Sequence, residues 1–573
     1  MHKYLITVIF FLASFFGFSQ NVDLSKLKGE LKKHIEAKPF EYSGSVAVTT
    51  NTVFATGESG SQPFVYVATG NVLFKIYGYD LPFSFTYSNK KFDYTNPSFR
   101  FNKASFVPKF KNLGLSIGDF SMSFSPYTLS GFQCMGGGIN LTPGKFKIQA
   151  LYGRFLLPVG EDTSGRVKPS YQRMGYGLNV GYTGEKYKMG MSVFAAKDDA
   201  QSIIQPTLEV NRDVRPKENV SLSANGGFPI GKNLTLEGEV AISVMTENSL
   251  TQEKSPMTES PFKFLVKDRN VTTSVYHAMK TSLNYSIEKN GTIGLNYERV
   301  EPDYHTLGGY FFANDFENIT LNAQHQGKVN MGLNTGLQYD NLANTKQIQS
   351  GRMVIASNLS FKPTEKVNVS MNYSNFQSFT FIQTGFEKIN RLTPFENLDT
   401  LSFTQLSQNA SANVNMALRQ DSIKSQTLNM MMSFMESANQ RNSATPQLNN
   451  GSKFINGAAQ FSMTFVPKTL TLAAGLNLSL NYAGQSNTLT IGPNVTAAKQ
   501  FFDKKLNATA TVAYNVSSTK DISNHVVTTN IGVNTKIKKK HNLTLNIAGQ
   551  QRVSNKTSPL LNFSINTSYN YNF

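Results

Sequence analysis

The densest group of residues able to do chemistry lies between positions 301 and 317. Glu301, Asp303 and His305 are followed there by Asp315 and Glu317. A carboxylate beside an imidazole can serve as a general base in hydrolysis, and carboxylate oxygens can hold Ca²⁺. The spacing matches neither a catalytic triad nor a metal-ligand motif. The sequence therefore favours a solvated loop here, with a hydrolase dependent on Asp303 and His305 as the weakest alternative.

The sequence also favours structural roles for the remaining reactive side chains. Asp198 and Asp199 favour a solvated loop in the same way, and the other histidines stand singly beside turns. Cys134 is the only cysteine, in apolar, Gly-rich surroundings that favour a packed thiol. The run from Gly136 to Gly138 lacks the Lys-Ser/Thr of a phosphate loop and predicts closely packed strand backbone. We therefore predict a non-enzyme with no catalytic, cofactor-binding or metal-binding residues and no cofactor.

The element that organises the chain is its last stretch, Leu561 to Phe573, which alternates strictly. Its odd positions are mainly apolar or aromatic, and its even positions are all Asn or Ser. A period of two places the two sets on opposite faces of a β-strand. An apolar face that ends on Tyr569, Tyr571 and Phe573 is typical of the last strand of an outer-membrane barrel, where these residues act as the assembly signal.

The same alternation recurs from about residue 41 onward, broken by short turns and longer polar loops. Pro, Gly or Lys marks the short turns, which include 142–145, 183–186, 230–233, 288–291, 362–366, 466–469, 502–505 and 536–540. The longer loops are expected at 199–219, 246–276, 301–318, 375–408 and 436–453. Twelve tight turns and thirteen loops predict an all-β, single-chain transmembrane antiparallel barrel of about 26 strands (24 to 28), with both termini periplasmic.

Alternation also assigns faces to particular strands. Leu472, Leu476 and Leu478 are expected to face lipid, with Asn477 and Ser479 in the lumen. Lys147, Glu237 and Glu239 are predicted to face the lumen as well, where they tune ion selectivity or, more simply, form internal salt bridges. The region 41–135 is less regular because Pro82, Pro108 and Pro126 fall inside apparent strands.

Three regions follow from these patterns. Residues 1–19 read as a cleaved signal peptide, with a short basic start and an apolar run. Residues 20–40 place Leu24, Leu27, Leu31 and Ile35 on one ridge of a basic amphipathic helix, expected in the periplasm or in the barrel mouth. Residues 41–573 form the barrel.

The formal net charge of +18 raises the question of a nucleic-acid partner. We exclude that class because the lysines are scattered among turns instead of forming a stripe. Lipid headgroups or an anionic substrate fit an exported, multi-pass outer-membrane protein better.

Three segments carry a resemblance to a known family. They are residues 78–88 (GYDLPFSFTYS), 122–131 (MSFSPYTLSG) and 141–146 (LTPGKF). Together with the high Asn and Lys content and the aromatic terminus, the chain resembles the large outer-membrane β-barrel proteins of Bacteroidota, over about residues 60–160 in detail and by pattern elsewhere. The resemblance implies location and architecture, and brings no site residues with it.

The function expected from these observations is a channel or translocation scaffold. A barrel of this size would leak if it stood open, so we expect the long loops, the 20–40 helix or a plug partner to close the lumen. The alternative is an accessory subunit of a type 9 secretion or barrel-assembly complex. Expected partners are outer-membrane lipid and, during biogenesis, the barrel-assembly machinery.

Overall fold

A computed structural model describes residues 38–56, 63–90, 102–162, 168–253, 270–287, 290–310, 314–340, 351–375, 406–437, 452–483, 486–520, 522–556 and 558–573. The expected signal peptide (1–19) and most of the expected helix (20–40) lie outside these ranges. So do most of the expected loops at 375–408 and 436–453. Within the described ranges, no helix is long and apolar enough to cross a membrane.

The described chain is almost entirely strand, with one 3₁₀ turn at Glu209–Asn211. The first nine strands are β1 (Phe40–Ala55), β2 (Phe64–Ile76), β3 (Tyr79–Ser88), β4 (Lys103–Phe106), β5 (Lys109–Phe110), β6 (Leu113–Ser123), β7 (Ser130–Leu141), β8 (Phe146–Leu156) and β9 (Gln172–Thr183). The next nine are β10 (Lys188–Asp199), β11 (Glu218–Ile230), β12 (Leu234–Thr246), β13 (Thr273–Ile287), β14 (Gly291–Val300), β15 (Phe316–His325), β16 (Val329–Asp340), β17 (Gly351–Thr364) and β18 (Val367–Ser374). The last nine are β19 (Leu406–Gln420), β20 (Lys424–Ser437), β21 (Ser452–Phe465), β22 (Leu470–Ala483), β23 (Ser486–Phe501), β24 (Leu506–Thr519), β25 (Ile522–Ile537), β26 (His541–Ser554) and β27 (Leu560–Asn572).

Apart from β4 and β5, each strand pairs antiparallel with its neighbour in sequence, and β27 pairs with β1, so the sheet closes into a barrel. The short strands β4 and β5 both lie between β3 and β6 and together fill one position. The barrel therefore has 26 strand positions, which confirms the predicted number. Closure leaves no unpaired sheet edge.

The two ends of the barrel differ. Both termini of the described chain and most of the short connections, such as 142–145 and 466–469, lie at one end, which we call the turn end; the two-residue connections β22–β23 and β24–β25 lie at the other end. The longer connections, including 200–217, 247–272 and 301–315, lie at the opposite end, the loop end. The turns and the long loops predicted by number therefore lie at opposite ends, but the rule that short connections occur only at the turn end does not hold.

The two faces of the wall also differ. Along β22, Leu472, Leu476 and Leu478 are exposed on the outer face, while Asn477 is buried on the inner one. Ser479 donates a hydrogen bond to Asn456 Oδ1 of β21 (2.7 Å) on that inner face. β27 repeats the pattern, with Leu561, Phe563 and Tyr569 exposed and Ser564 and Asn566 buried. An apolar exterior over a polar interior is the arrangement of a membrane-spanning barrel.

The irregular N-terminal region is explained by its prolines. Pro82 does lie within β3, opposite Leu73 of β2. Pro108 separates β4 from β5 because it has no N–H to donate to the ladder. The assignment of Pro126 to a strand was wrong, since β6 ends at Ser123 and residues 124–129 form a loop.

The glycine run of β7 lies where backbone and side chains approach closely, as predicted. A Cβ on Gly136 would stand 2.1 Å from the carbonyl oxygen of Tyr152, and one on Gly138 would stand 2.5 Å from Met122 Cε. Cys134, on the same inner face, is buried among apolar side chains, so the prediction of a packed thiol is confirmed.

Candidate functional site: the barrel lumen

Two loop segments enter the lumen from the loop end and contact each other there. The first is 124–129, between β6 and β7, and the second is 304–308, between β14 and β15. Leu129 and Gly308 form a parallel bridge, and the N–H of Ser130 donates to the carbonyl of Gly308 (2.9 Å). We call these two segments the inner pair. They make the prediction of a solvated loop at 301–317 wrong for residues 304–308, of which Tyr304 is fully buried.

Side-chain hydrogen bonds join the two segments further. The Tyr304 hydroxyl donates to the carbonyl of Tyr127 (2.7 Å), and the Thr306 hydroxyl donates to the carbonyl of Thr128 (2.6 Å). Burial raises the pKa of Tyr304, so the phenol keeps its proton and remains a donor. Because buried backbone carbonyls need partners, these two bonds fix the depth at which the segments lie.

The inner pair is bonded to the barrel wall as well. Ser125 donates to the carboxylate of Glu239 on β12, and the Tyr127 hydroxyl donates to Glu298 on β14. Two further hydrogen bonds join residues 304–308 to the wall. The Leu307 N–H donates to Asn219 Oδ1 of β11 (3.1 Å), and the Ser243 hydroxyl of β12 donates to the carbonyl of His305 (2.7 Å).

Apolar packing completes this side of the lumen. Leu129 and Leu307 of the inner pair pack in one buried cluster with inward side chains of the wall, among them Phe120, Phe132, Phe155, Phe194 and Met245. Burial of a side chain of this size contributes roughly 1.5–3 kcal/mol. The lumen beside β6 to β14 is therefore filled by a hydrophobic core, and we call this the filled half.

An ionic cluster around His305 holds the second segment of the inner pair, residues 304–308. His305 Nε2 lies 2.9 Å from Glu247 Oε1, its Nδ1 lies 2.6 Å from the carbonyl of Asp303, and Lys217 pairs with the same Glu247. Both ring nitrogens face acceptors, which suits the doubly protonated imidazolium. Burial lowers the pKa of His305, but the bonds to Glu247 and Asp303 outweigh it and the pKa is raised. The bond from His305, helped by Lys217, lowers the pKa of Glu247 to about 2.

This cluster predicts a pH dependence. A raised pKa means that folding binds a proton, so the stabilisation by His305 is complete below its ordinary value of about 6.5 and is lost as pH rises through the raised value. We expect the midpoint temperature of unfolding, read from the gel mobility of unheated and heated protein, to fall more between pH 6 and pH 9 in the wild type than in His305→Gln. The other ionisable side chains near His305 are common to both proteins. An equal fall in the two would contradict the assignment.

Asp198 was expected in a solvated loop, and this was wrong. It is only 4% exposed, because Arg173 of β9 donates to both of its oxygens (2.7 and 3.0 Å) and the backbone N–H of Lys217 donates to one of them (3.0 Å). A buried charge needs such partners. The pair ties the start of β11 to β9 and β10 beside the filled half.

The rest of the inner wall has a different chemistry. From β15 round to β1, every strand carries an asparagine on its inner face. We call these residues the asparagine belt: Asn322, Asn334, Asn358, Asn372, Asn415, Asn429, Asn456, Asn477, Asn494, Asn515, Asn530, Asn546, Asn566 and Asn51. Several are direct cross-strand partners, such as Asn358 with Asn372, and Asn566 with both Asn546 and Asn51.

The belt offers hydrogen-bonding groups without charge. Its neighbours on the inner face include hydroxyls, for example Thr490 and Ser517, whose oxygens lie 2.8 Å apart. Within the described part of the chain, Asn51 Oδ1, Asn334 Oδ1 and Asn566 Nδ2 have no hydrogen-bond partner. Amide groups of this kind suit contact with water or a hydrated solute.

The predicted lumen charges lie on strands whose register places them on the inner face. Register and alternation place Lys147, Glu237 and Glu239 inward. Glu239 accepts from Ser125 of the inner pair, and Glu237 lines a cavity of about 280 Å³ with Lys188 and Lys280. No ion pair among the described residues joins Lys147 to Glu237 or Glu239, and internal salt bridging of these groups stays a prediction. Nor do three His, Cys, Asp or Glu side chains of the described ranges come together in a way that could hold a metal ion.

Comparisons with known proteins return structures but no sequence family. No family model matches, and no curated protein matches. The P pilus usher (PapC) translocation pore is 10% identical, with a TM-score of 0.37 over 92% of this chain and 98% of that one. The FrpB iron transporter of Neisseria meningitidis is 12% identical (TM-score 0.35, 95% and 84%), and OccAB4 of Acinetobacter baumannii is 7% identical (TM-score 0.31, 94% and 99%). At these values none of the likenesses says what this chain does.

Proposed function

We propose that the protein is an outer-membrane channel or translocation scaffold of the Bacteroidota type, with a lumen partly filled by its own loops. The apolar exterior and polar interior of the closed wall support a place in the outer membrane. The turn end would face the periplasm. The barrel-assembly machinery would recognise the end of β27, at its pairing with β1 (the seam), through Tyr569, Tyr571 and Phe573. The barrel would carry out no catalysis.

One observation carries the proposal: the inner wall is divided into two unlike halves. The filled half is occupied by the inner pair and its core, whereas the opposite half presents the asparagine belt. Passage would follow the belt, whose neutral amides replace the hydrogen bonds of a hydrated solute without selecting ions by charge. Uncharged hydrophilic solutes are the substrate class that fits.

The alternative is an accessory subunit of a secretion or barrel-assembly complex, with a closed lumen. The bonded inner pair favours it, because such extensive anchoring suits a permanent plug. In that case a partner would co-purify with the barrel.

Conductance in a planar bilayer tests the proposal. We expect steady, weakly ion-selective openings from the purified wild type. The double variant Asn477→Asp, Asn494→Asp places two charges on adjacent belt strands and should shift the reversal potential toward cation selectivity in a salt gradient. The neutral control Asn477→Ser, Asn494→Ser should leave it unchanged. A silent wild type, or an Asp variant with wild-type selectivity, would overturn passage along the belt.

A further inference from the structure

The turn end carries a concentrated positive surface on one side of the barrel. It is formed by the connections β21–β22, β23–β24 and β25–β26 together with the end of β23. Its lysines, which we call the basic patch, are Lys468, Lys499, Lys504, Lys505, Lys538, Lys539 and Lys540. Successive turns are about 10 Å apart, since each pair of strands occupies two interstrand spacings. Ammonium groups from neighbouring turns can therefore reach the same anionic surface.

Few carboxylates lie among these lysines in the part of the chain that the structure describes. Among the described residues of these segments the only carboxylate is Asp503. No ion pair of the described residues involves any lysine of the basic patch. Asp421, in the neighbouring β19–β20 turn, is bonded instead to Arg419 and to the backbone N–H groups of Ile423 and Lys424.

Apolar side chains alternate with the lysines at this edge. Phe502 is 74% exposed, and Val466 and Ile537 are also exposed. Lys499 lies over the ring of Phe501, with Nζ 5.0 Å from its centroid. The ammonium group therefore makes a cation–π contact at the edge of the apolar outer face.

The backbone holds Phe502 in this position at some cost. Phe502, Asp503 and Lys504 have φ values of 51°, 53° and 67°, in the left-handed region that glycine adopts more easily. A tight hairpin connection needs that conformation, yet the chain fills it with an aromatic and two charged residues.

We propose that the basic patch binds the anionic phospholipid headgroups of the leaflet at the turn end. The ammonium groups contact the phosphates, while Phe502 and its apolar neighbours enter the acyl region below. Lysines near an anionic membrane surface each contribute about 1 kcal/mol, equivalent to about fivefold in affinity. The inference rests on the barrel spanning a membrane, but not on passage through it, so a silent bilayer recording leaves it intact.

Lipid retention by the full chain tests the proposal. Protein in uncharged detergent is titrated with phosphatidylglycerol or phosphatidylcholine, and bound lipid is counted by native mass spectrometry. We expect preference for phosphatidylglycerol, and at least about tenfold weaker binding in Lys468→Gln, Lys504→Gln, Lys505→Gln, Lys539→Gln. The matched control neutralises four exposed lysines in turns on the other side, Lys145, Lys186, Lys232 and Lys328, and should bind nearly as the wild type does.

Four outcomes would overturn the proposal. Equal losses in the two quadruple variants would mean diffuse attraction without a patch, and no loss in either would mean no role for lysine. Displacement of the lipid by inorganic phosphate would identify a phosphate site instead. The variant Phe502→Ser keeps every lysine and should weaken retention of phosphatidylglycerol. If this variant retained as much lipid as the wild type, Phe502 would not contact the membrane, and an acidic protein partner would be favoured. Heat-modifiable gel mobility confirms that each variant is folded.

Discussion

Gly308→Val should open the lumen and raise single-channel conductance several-fold. A Cβ at this position would stand 2.5 Å from the carbonyl oxygen of Thr128 and 2.9 Å from Phe194 Cδ1. Neither can move away easily, because one is backbone and the other is fully buried in the core. The parallel bridge between Leu129 and Gly308 must therefore separate, and with it the N–H bond from Ser130. Overpacking of this kind costs about 1–3 kcal/mol, enough to release the inner pair but not to unfold the barrel.

The matched control is Gly549→Val, which adds the same side chain to β26. Nothing lies within 4 Å of a Cβ there, so its conductance should equal that of the wild type. Planar-bilayer recordings of the three proteins at one salt concentration provide the comparison. Wild-type conductance in a folded Gly308→Val protein would mean that the inner pair does not limit passage.

Gly44→Val should prevent the barrel from closing. The backbone of Gly44 exchanges two hydrogen bonds with Phe573 at the seam: Gly44 N–H to the Phe573 carbonyl (3.2 Å) and Phe573 N–H to the Gly44 carbonyl (3.1 Å). A Cβ would lie 2.2 Å from the carbonyl oxygen of Asn71 on β2 and 2.9 Å from Val72 Cα. Since both contacts are backbone, β1 must move off β2, and the bonds to Phe573 are lost. Two unpaired edges then face lipid, where each unsatisfied backbone group costs several kcal/mol.

We expect most Gly44→Val protein to remain unfolded, as measured by the heat-modifiable band on gels and by protease digestion of membranes. Gly457→Val is the control, because it also lies in a strand, β21, but has nothing within 4 Å of its Cβ. It should fold like the wild type. A normal heat-modifiable band for Gly44→Val would show that the seam accepts a side chain, contrary to its close contacts.

The wall of the barrel could be predicted from sequence because its rules are local. Alternation in β27 and β22 depends only on which face meets lipid, and the turns at 142–145 and 502–505 carry their own Pro, Gly and Lys signals. Each hairpin is fixed by neighbours along the chain. Strand number and the polarity of each face follow from these short-range features.

The filling of the lumen could not be predicted in the same way. Residues 124–129 continue the apolar pattern of β6, and only Pro126 signals a break. Inward residues such as Phe132 and Phe194 resemble lipid-facing ones because a core and a membrane select the same side chains. Their burial depends on contact between segments far apart, as with Thr306 and Thr128, which are separated by 178 positions. The sequence shows the carboxylates and the imidazole around residue 301, but it does not show that His305 pairs with Glu247.

The pairing of the first strand with the last has a consequence for the order of assembly. The Thr49 hydroxyl donates a hydrogen bond to the Ser568 hydroxyl oxygen, although 519 positions separate the two residues. Every other pairing joins strands that follow closely along the chain, so hairpins such as β1–β2 can form early, whereas the second edge of β1 waits for β27. Bringing such distant ends together is slow relative to local pairing. One edge of β1 therefore stays unpaired until β27 arrives, and chains in that state are more open to proteolysis than finished barrels.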